Sequence, residues 1–363
     1  MLVFLSGWKR LPKRNIQKHT IPSAISIIVP VRNEQYNIIN LLHSLKVQDY
    51  NRDFYEIIIV DDHSTDSTEQ IAQKFKHQNL SLNVKIIKLS ANETTKKVAL
   101  RKGMEHAGGD IIIMTDADCR AGMRYLSTVN EYYRKQLPRL MIAPVKMKVN
   151  KNIFSQFQAL EFHSLIFTAG GSSVTTGALL ANGANLIVDR QIFNEKGNED
   201  MFIRKHASGD DMFLLNFVKQ TYGSEAVQFI KHKDAIMVTR TAQSLPDFME
   251  QRKRWVSKSK SYTDIWLIIT ALIVLLTALA QLGSLVLGIV VPDFLLLAAI
   301  IWGGKFFVDF IILRDIANFF DQKKLLWWFL PASIIYPFYV VISVLTGLFT
   351  GYSWKGRIYS RGQ

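Results

Sequence analysis

Asp116 and Asp118 stand two residues apart at the end of the apolar run Ile111-Ile112-Ile113-Met114, in the stretch IIIMTDADC. Carboxylates brought this close repel each other unless a cation or hydrogen-bond donors compensate them. Their hard oxygens suit Mg²⁺ or Mn²⁺, which keep coordination positions open for the oxygens of a bound diphosphate. Two more polar clusters follow apolar runs in the same way. Pro30-Val31-Arg32-Asn33-Glu34 comes after Ile25 to Val29, and Asp61-Asp62-His63-Ser64-Thr65-Asp66 comes after Tyr55 to Val60. An isolated D-x-D is common as a solvated turn, so its place after a buried run is what makes it informative.

The elements that must hold these groups alternate strand and helix. Ile25 to Val29 reads as a strand buried on both faces that stops at Pro30, and Tyr55 to Val60, Val84 to Leu89 and Ile111 to Thr115 read as three more. Between them, Tyr36 to Val47 carries Ile38, Leu41, Leu42 and Leu45 at helical spacing. Ser64 or Thr65 is expected to cap a helix reaching Phe75, and Thr95 to Ala107 forms a third helix with Gly108-Gly109 past its end. Such alternation gives an α/β fold with parallel pairs and right-handed crossovers, whose ligands bind at the carboxyl ends of the strands. All three acidic clusters fall at that edge. A dinucleotide-binding Rossmann domain is excluded because PVRNEQ, after the first strand, contains no glycine.

After Asp264 the chain changes character. Ile265 to Val291, Phe294 to Leu313 and Leu326 to Phe349 are nearly continuous apolar runs of membrane-spanning length. The division expected is a basic N-terminal segment (1–22), an α/β domain (23–260) and a membrane domain with about three embedded helices (261–363). Formal net charge is +14, and its basic residues gather beside the apolar runs: Lys9, Arg10, Lys13, Arg14 and Lys18, then Arg252, Lys253, Arg254, Lys258 and Lys260. This collar marks the cytoplasmic side of a membrane anchor, and without a finger, helix-turn-helix or stacking signature it does not indicate nucleic acid. Val291-Pro292-Asp293 lacks a basic residue whereas Arg314 to Leu325 has three, which puts the α/β domain and the second loop on the cytoplasmic side. A crossing third segment would leave Lys355, Arg357 and Arg361 outside, so Pro331 and Pro337 mark a possible re-entrant or interfacial bend. Lys305 and Asp309, four apart, can pair within the second segment. Met1 to Leu5 is too short for a signal-peptide core, so no cleaved leader is expected. The single Cys119 excludes an intramolecular disulfide and a thiolate metal cluster, and no histidine pair has zinc spacing.

In order along the chain, SIIVPVRNE, EIIIVDDHSTDST, GGDIIIMTDADC, SGDDMFLL and QRKRW resemble the motifs of family 2 glycosyltransferases with the GT-A fold. The resemblance extends to the membrane-anchored branch containing cellulose, chitin and hyaluronan synthases and ceramide glucosyltransferase, and covers Ser23 to Trp255. It implies a nucleotide-sugar-binding domain for a UDP-sugar. Asp61 or Asp62 would contact the nucleoside; Pro30, Arg32 and Glu34 would bind substrate; Asp116 and Asp118 would form the metal-binding D-x-D, with Asp118 the closer ligand. Lys96 and Lys97, in TTKKVAL, are candidates to approach the nucleotide, with a solvated helix start as the plainer reading. Asn182 and Gly183 belong to a loop resembling the acceptor side. Aligning Ser208-Gly209-Asp210-Asp211 with the family's Thr-Glu-Asp makes Asp211 the general base of an inverting transfer, with Asp210 the other candidate; a pair of helix-capping aspartates is the plainer reading of the same residues. In QRKRW, Gln251 would hydrogen-bond substrate, Arg254 would offset diphosphate charge and Trp255 would floor the acceptor site, although Arg and Trp before a membrane segment also serve as interfacial anchors.

The activity implied is transfer of a sugar from a UDP-sugar to a lipid-linked or membrane-proximal acceptor. The processive synthases carry more transmembrane sequence than this chain, so long-chain polymer export is not expected. A catalytically silent component of a polysaccharide export complex is the alternative, and would be expected to have lost an acidic motif or the Arg-Trp pair that this chain keeps.

Overall fold

A computed structural model describes residues 1–12, 21–195, 210–355 and 357–359. Lys13, Arg14, Lys18, Ser208, Gly209 and Arg361 lie outside the described residues. In chain order the strands are β1 (Ile25–Val31), β2 (Tyr55–Asp61), β3 (Asn83–Lys88), β4 (Ile111–Met114), β5 (Leu140–Ile142), β6 (Val145–Lys148), β7 (Leu186–Asp189), β8 (Val227–Phe229), β9 (Met237–Arg240), β10 (Tyr352–Trp354) and β11 (Arg357–Tyr359). The helices are α1 (Leu2–Arg10), α2 (Ile38–Lys46), α3 (Thr68–Gln78), α4 (Lys96–Glu105), α5 (Tyr125–Gln136), α6 (Ile153–Ser173), α7 (Gln191–Asn194), α8 (Asp210–Tyr222), α9 (Leu245–Ser257), α10 (Ile265–Val290), α11 (Leu295–Phe319) and α12 (Phe329–Phe349). They belong to two compact units, one of residues 7–146 with 169–240, the other of residues 1–6 with 147–168 and 241–363.

The first unit is built on a seven-stranded, mostly parallel sheet of order β3-β2-β1-β4-β7-β5-β8. β1 pairs in parallel with β2 and β4, and β2 with β3, whereas β7 runs antiparallel between β4 and β5. The runs of Ile and Val are the reason: every residue of β2 and β4 is buried, as a strand covered on both faces requires. Because β1, β2 and β4 are parallel, the loops beginning at Arg32, Asp62 and Thr115 leave the sheet at one edge.

Several element ends differ from the sequence reading. β1 does not stop at Pro30; it continues to Val31, with Pro30 opposite Val60. Pairing with β4 ends at Ile28–Met114, so the ladder on that side asks for no N–H from Pro30. Neither Ser64 nor Thr65 caps a helix, because α3 begins only at Thr68. Ser64 instead donates its hydroxyl to Asp61 Oδ1 at 2.5 Å, and Thr65 donates its N–H to Asn33 Oδ1 at 2.8 Å.

In the second unit α10 packs on α11 and α12, and α12 on α9. Three segments, Ile265–Val290, Pro292–Phe319 and Lys323–Phe349, are long and apolar enough to cross a membrane. Their outward surfaces remain hydrophobic, with Leu276, Ile289, Leu296, Ile300 and Phe307 each 60% exposed or more. Soluble folds seldom leave so much contiguous apolar surface uncovered. α12 is one continuous helix with Pro337 inside it. Lys305 and Asp309 pair one turn apart on α11, as their spacing foretold.

Candidate active site

The acidic groups of the first unit are held by a network that reaches across three strand ends. Arg32 donates through Nη1 to the carbonyls of Asp62 (2.7 Å) and His63 (3.2 Å), bracing the loop after β2 against the loop after β1. The Glu34 carboxylate accepts from Asn37 Nδ2 at 2.6 Å, and its own N–H donates to Thr68 Oγ1 at 2.7 Å. Asp61 accepts from both the N–H and the hydroxyl of Ser64, and Asp62 accepts from the Thr95 N–H at 3.3 Å. Both carboxylates are buried.

Thr95 links this cluster to the D-x-D. Its φ of 97° lies where a β-branched residue is rarely found, and it caps α4 by accepting from the Val98 N–H. Lys96 follows, and its ammonium contacts Asp116 Oδ1 at 2.5 Å, which balances part of the charge the D-x-D concentrates. The same Lys96 Nζ lies 3.7 Å from where Gly183 would carry a Cβ, and Asp211 Oδ2 lies 3.6 Å from that point. Asp211 Oδ2 accepts the Gly183 N–H at 3.1 Å, and Oδ1 accepts the Met212 N–H at 2.9 Å. Asp116, Lys96, Gly183 and Asp211, lying between positions 96 and 211 of the sequence, are thereby joined. Asp210 opens α8 beside Asp211.

Asp118 is held separately. Its Oδ2 accepts the Thr239 hydroxyl at 2.8 Å, a contact placed by the bridge between Arg120 and Val238. Sequence reasoning missed Thr239, which lies 121 residues away and carries no motif. Thr95 could have been recognised as a helix-start threonine, but nothing in the sequence ties it to Asp62. Cys119 is buried, and burial with the nearby Asp118 and Asp116 charges pushes its thiol well above the ordinary range. Among the described residues no group of three or more His, Cys, Asp or Glu side chains is placed to hold an ion. A pair of carboxylates nevertheless fits a hard divalent cation that takes its remaining ligands from water and a diphosphate.

The Asn182 loop turns on itself: Asn182 Oδ1 accepts from the Ala184 N–H at 2.9 Å. Asn185 is structural, fully buried, donating to the carbonyls of Pro144 and Ala235 and accepting from Tyr125. Lys97 is buried on α4.

Gln251, Arg254 and Trp255 lie on α9, in the second unit. Arg252, between them, was expected to belong to the basic collar beside the membrane, yet it is 2% exposed and pairs with Glu161 of α6 at 2.5 Å. Its guanidinium sits 4.0 Å from the centre of the Trp255 ring and 4.6 Å from that of Phe248. Tyr339 of α12 donates to the other oxygen of Glu161 at 3.2 Å. Burial pushes the Glu161 carboxyl above its usual range, and the Arg252 charge opposes that. The motif helix is thus pinned from two sides by one carboxylate.

Residues 26–195 match the family model described as glycosyl transferase family 2. A Methanococcus voltae protein, dolichyl N-acetyl-alpha-D-glucosaminyl phosphate 3-beta-D-2,3-diacetamido-2,3-dideoxy-beta-D-glucuronosyltransferase, is 30% identical over 154 residues, covering 41% of this chain and 46% of that one. Beta-monoglucosyldiacylglycerol synthase from Nostoc sp. is 26% identical over 250 residues, covering 67% of this chain and 50% of the relative. The chain therefore spans about half the length of these relatives. Among solved structures, the mannosyltransferase from Pyrobaculum calidifontis in complex with GDP-Man and Mn²⁺ shares the fold, with a TM-score of 0.56, 18% identity, and coverage of 92% of this chain and 93% of that one.

Proposed function

We propose that this chain, which carries a family 2 glycosyltransferase domain of GT-A fold, moves a sugar with inversion from a UDP-sugar to a lipid-linked or membrane-proximal acceptor. The observation that carries the reading is the convergence of Asp116, Lys96, Gly183 and Asp211 at the carboxyl edge of the sheet. Neither a scaffold nor a simple helix cap requires that an acidic pair, a cation and a second carboxylate from a distant helix meet there. Two of the relatives are named for acceptors of this kind, one for a dolichyl phosphate-linked sugar and one for diacylglycerol.

In this reading Asp61 and Asp62 hold the nucleoside, and Arg32 and Glu34 keep their loop in place around Pro30. Asp118 and Asp116 would hold Mg²⁺ or Mn²⁺; when bound, the ion offsets charge on the departing diphosphate. The mannosyltransferase of the same fold provides a precedent for a nucleotide sugar with Mn²⁺. Lys96 is close enough to Asp116 to add a second positive charge beside the leaving group, an interaction that strengthens as the bond to the sugar breaks. Asp211 takes the acceptor hydroxyl's proton while the acceptor oxygen bonds to the anomeric carbon and the bond from that carbon to the diphosphate breaks, releasing UDP. Gln251, Arg254 and Trp255 on α9 serve substrate and acceptor, with Asn182 and Gly183 on the acceptor loop. The three apolar helices anchor the enzyme, with the transferase domain on the cytoplasmic side.

The test is nucleotide release. Detergent-purified protein with native lipid extract, Mn²⁺ or Mg²⁺ and a panel of UDP- and GDP-sugars is expected to release UDP from one donor, dependent on lipid. Release only from a GDP-sugar would change the donor, and no release from any would favour a silent scaffold.

A further inference from the structure

All three apolar segments of the second unit are long enough to cross a membrane, but the contacts at the two ends of α12 set it apart from the other two. α10 and α11 form an antiparallel hairpin. A Cβ on Gly288 would lie 3.0 Å from Leu295 Cδ2, and the Trp302 indole donates to the Gln281 carbonyl at 3.0 Å. With 26 and 25 residues, each of these helices can cross the roughly 30 Å of bilayer hydrocarbon. Going out along α10 and back along α11 returns the chain to the side on which Ile265 began. α12 therefore starts on that side. Gln322 fastens this point to the unit, donating to the Met147 carbonyl at 3.0 Å and accepting from His163 Nε2 of α6 at 2.9 Å.

The other end of α12 is tied to the same side. Gly347 packs so closely on α9 that an added Cβ would come 2.5 Å from Val256 Cβ, and in β10 Ser353 donates its N–H to Glu250 Oε2 of α9 at 2.6 Å. Between Val256 and Ile265, where α10 enters, the chain makes the 3₁₀ turn Lys258–Ser261. Such a stretch reaches about 25 Å at most, less than the hydrocarbon thickness, so Val256 and Gly347 stand on the side where α10 enters. The middle of α12 is held by the same elements: Tyr339 stacks on Phe248 of α9 with ring centres 5.5 Å apart and donates to Glu161 of α6 at 3.2 Å. A straight crossing helix cannot keep its start, middle and end on one side.

We propose that α12 does not cross the membrane but lies along its surface on the side of α9, so that two helices span and the third is seated in a single leaflet. One face of α12 packs on protein through Phe329, Pro337, Val340, Ser343 and Gly347. On the other, Leu330, Ile334, Phe338, Ile342, Leu345 and Phe349 follow one another at three or four residues, each 46–63% exposed, as an unbroken apolar stripe. A lying helix sinks such a stripe about 5–10 Å into the boundary between headgroups and acyl chains and turns a charged face to water. α12 contains no charged residue; α9, which carries Glu250, Lys253 and Arg254, packs against it and supplies that face. Charge distribution agrees, because Lys355 and Arg357 then remain with Lys253, Arg254 and Lys258, whereas a crossing α12 would carry them to the opposite side. The inference rests on the membrane-anchored reading and adds that the helix bearing Gln251, Arg254 and Trp255 is held at the depth of the lipid headgroups.

The experiment reads sidedness in sealed membrane vesicles containing the whole protein, using a membrane-impermeant maleimide. Cys119 is buried, so the unaltered protein serves as the blank. Reporter cysteines are Lys74→Cys on α3, Asp293→Cys between α10 and α11, and Ser353→Cys in β10. In vesicles of one orientation Ser353→Cys and Lys74→Cys are each expected to label at least tenfold more than Asp293→Cys, with the ratio reversed in inverted vesicles. Labelling of Ser353→Cys with Asp293→Cys, against Lys74→Cys, overturns the proposal and leaves the membrane anchor intact. Labelling of all three from one side overturns the anchored reading and this inference with it. A second, independent measurement places nitroxides at positions 330, 334, 338, 342 and 349 and compares their exposure to oxygen and to a water-soluble nickel chelate in bilayers. All five are expected at one depth to within about 5 Å. A profile that deepens to about 15 Å near position 338 and becomes shallow again toward 349, as a crossing helix requires, overturns the proposal. Should one reporter variant not fold, the other measurement decides.

Discussion

Asp116 and Asp118 share a tripeptide but have different surroundings, and that difference makes them separable by experiment. Asp116 pairs with Lys96, and Asp118 accepts the Thr239 hydroxyl. Asp118→Asn is therefore expected to weaken UDP binding in Mn²⁺ while changing it little in EDTA, measured by titration calorimetry; equal loss in both conditions would remove the metal assignment. Thr239→Val takes away a hydrogen bond to a charged group, worth about 1.5–3 kcal/mol. Metal-dependent UDP affinity should fall roughly ten- to hundredfold, and an unchanged affinity would make Thr239 a bystander. At Asp211 the expectation is opposite in kind: Asp211→Asn should leave UDP affinity near wild type and lower the transfer rate by roughly 10² to 10⁴. Comparable binding loss and rate loss would mean that Asp211 positions the Gly183 loop and abstracts no proton.

At the scale of elements, close approaches decide where the site residues stand. Gly103 packs α4 so tightly on β1 that an added Cβ would come 2.4 Å from Ile28 Cγ2. Gly103→Val should shift the helix that starts with Thr95 and Lys96, destabilising the protein by about 1–3 kcal/mol and reducing transfer beyond what the stability loss explains. Thermal denaturation and initial rates together test this, and a normal rate in the variant would show that α4 tolerates displacement. The order and type of the first elements were legible because buried parallel strands are written as runs of Ile and Val and the helices between them keep a regular apolar spacing. What could not be read were features set by partners: that β1 could run through Pro30 depends on where β4 stops, and the fate of Ser64 and Thr65 depends on the Asp61 carboxylate and Asn33 of the neighbouring loop.

Across the whole molecule the sequence by itself determined the division between an α/β region and an apolar C-terminal region, because hydrophobic run length is a local property that no packing can alter. It also determined the chemical character of the site, since three acidic clusters after three buried strands can only collect at one edge of a parallel sheet. The buried pair Glu161–Arg252 was outside its reach. Removing one member strands a charge in a site 2% exposed at Arg252, so Arg252→Met should lower stability by about 3–5 kcal/mol in the solubilised protein, whereas Glu161→Leu with Arg252→Met should recover much of the loss. Thermal unfolding of the single and double variants checks this, and additive losses would argue against the pairing. Only the tertiary structure decided that Asp118 would lean on Thr239, that Lys96 would meet Asp116 and lie near Gly183, and that Arg252, inside a motif whose other members drew the attention, would be tied to α6 and α12. Each of these is a contact between residues far apart in the chain, fixed by the geometry of packed elements, and a linear pattern carries no term for that distance.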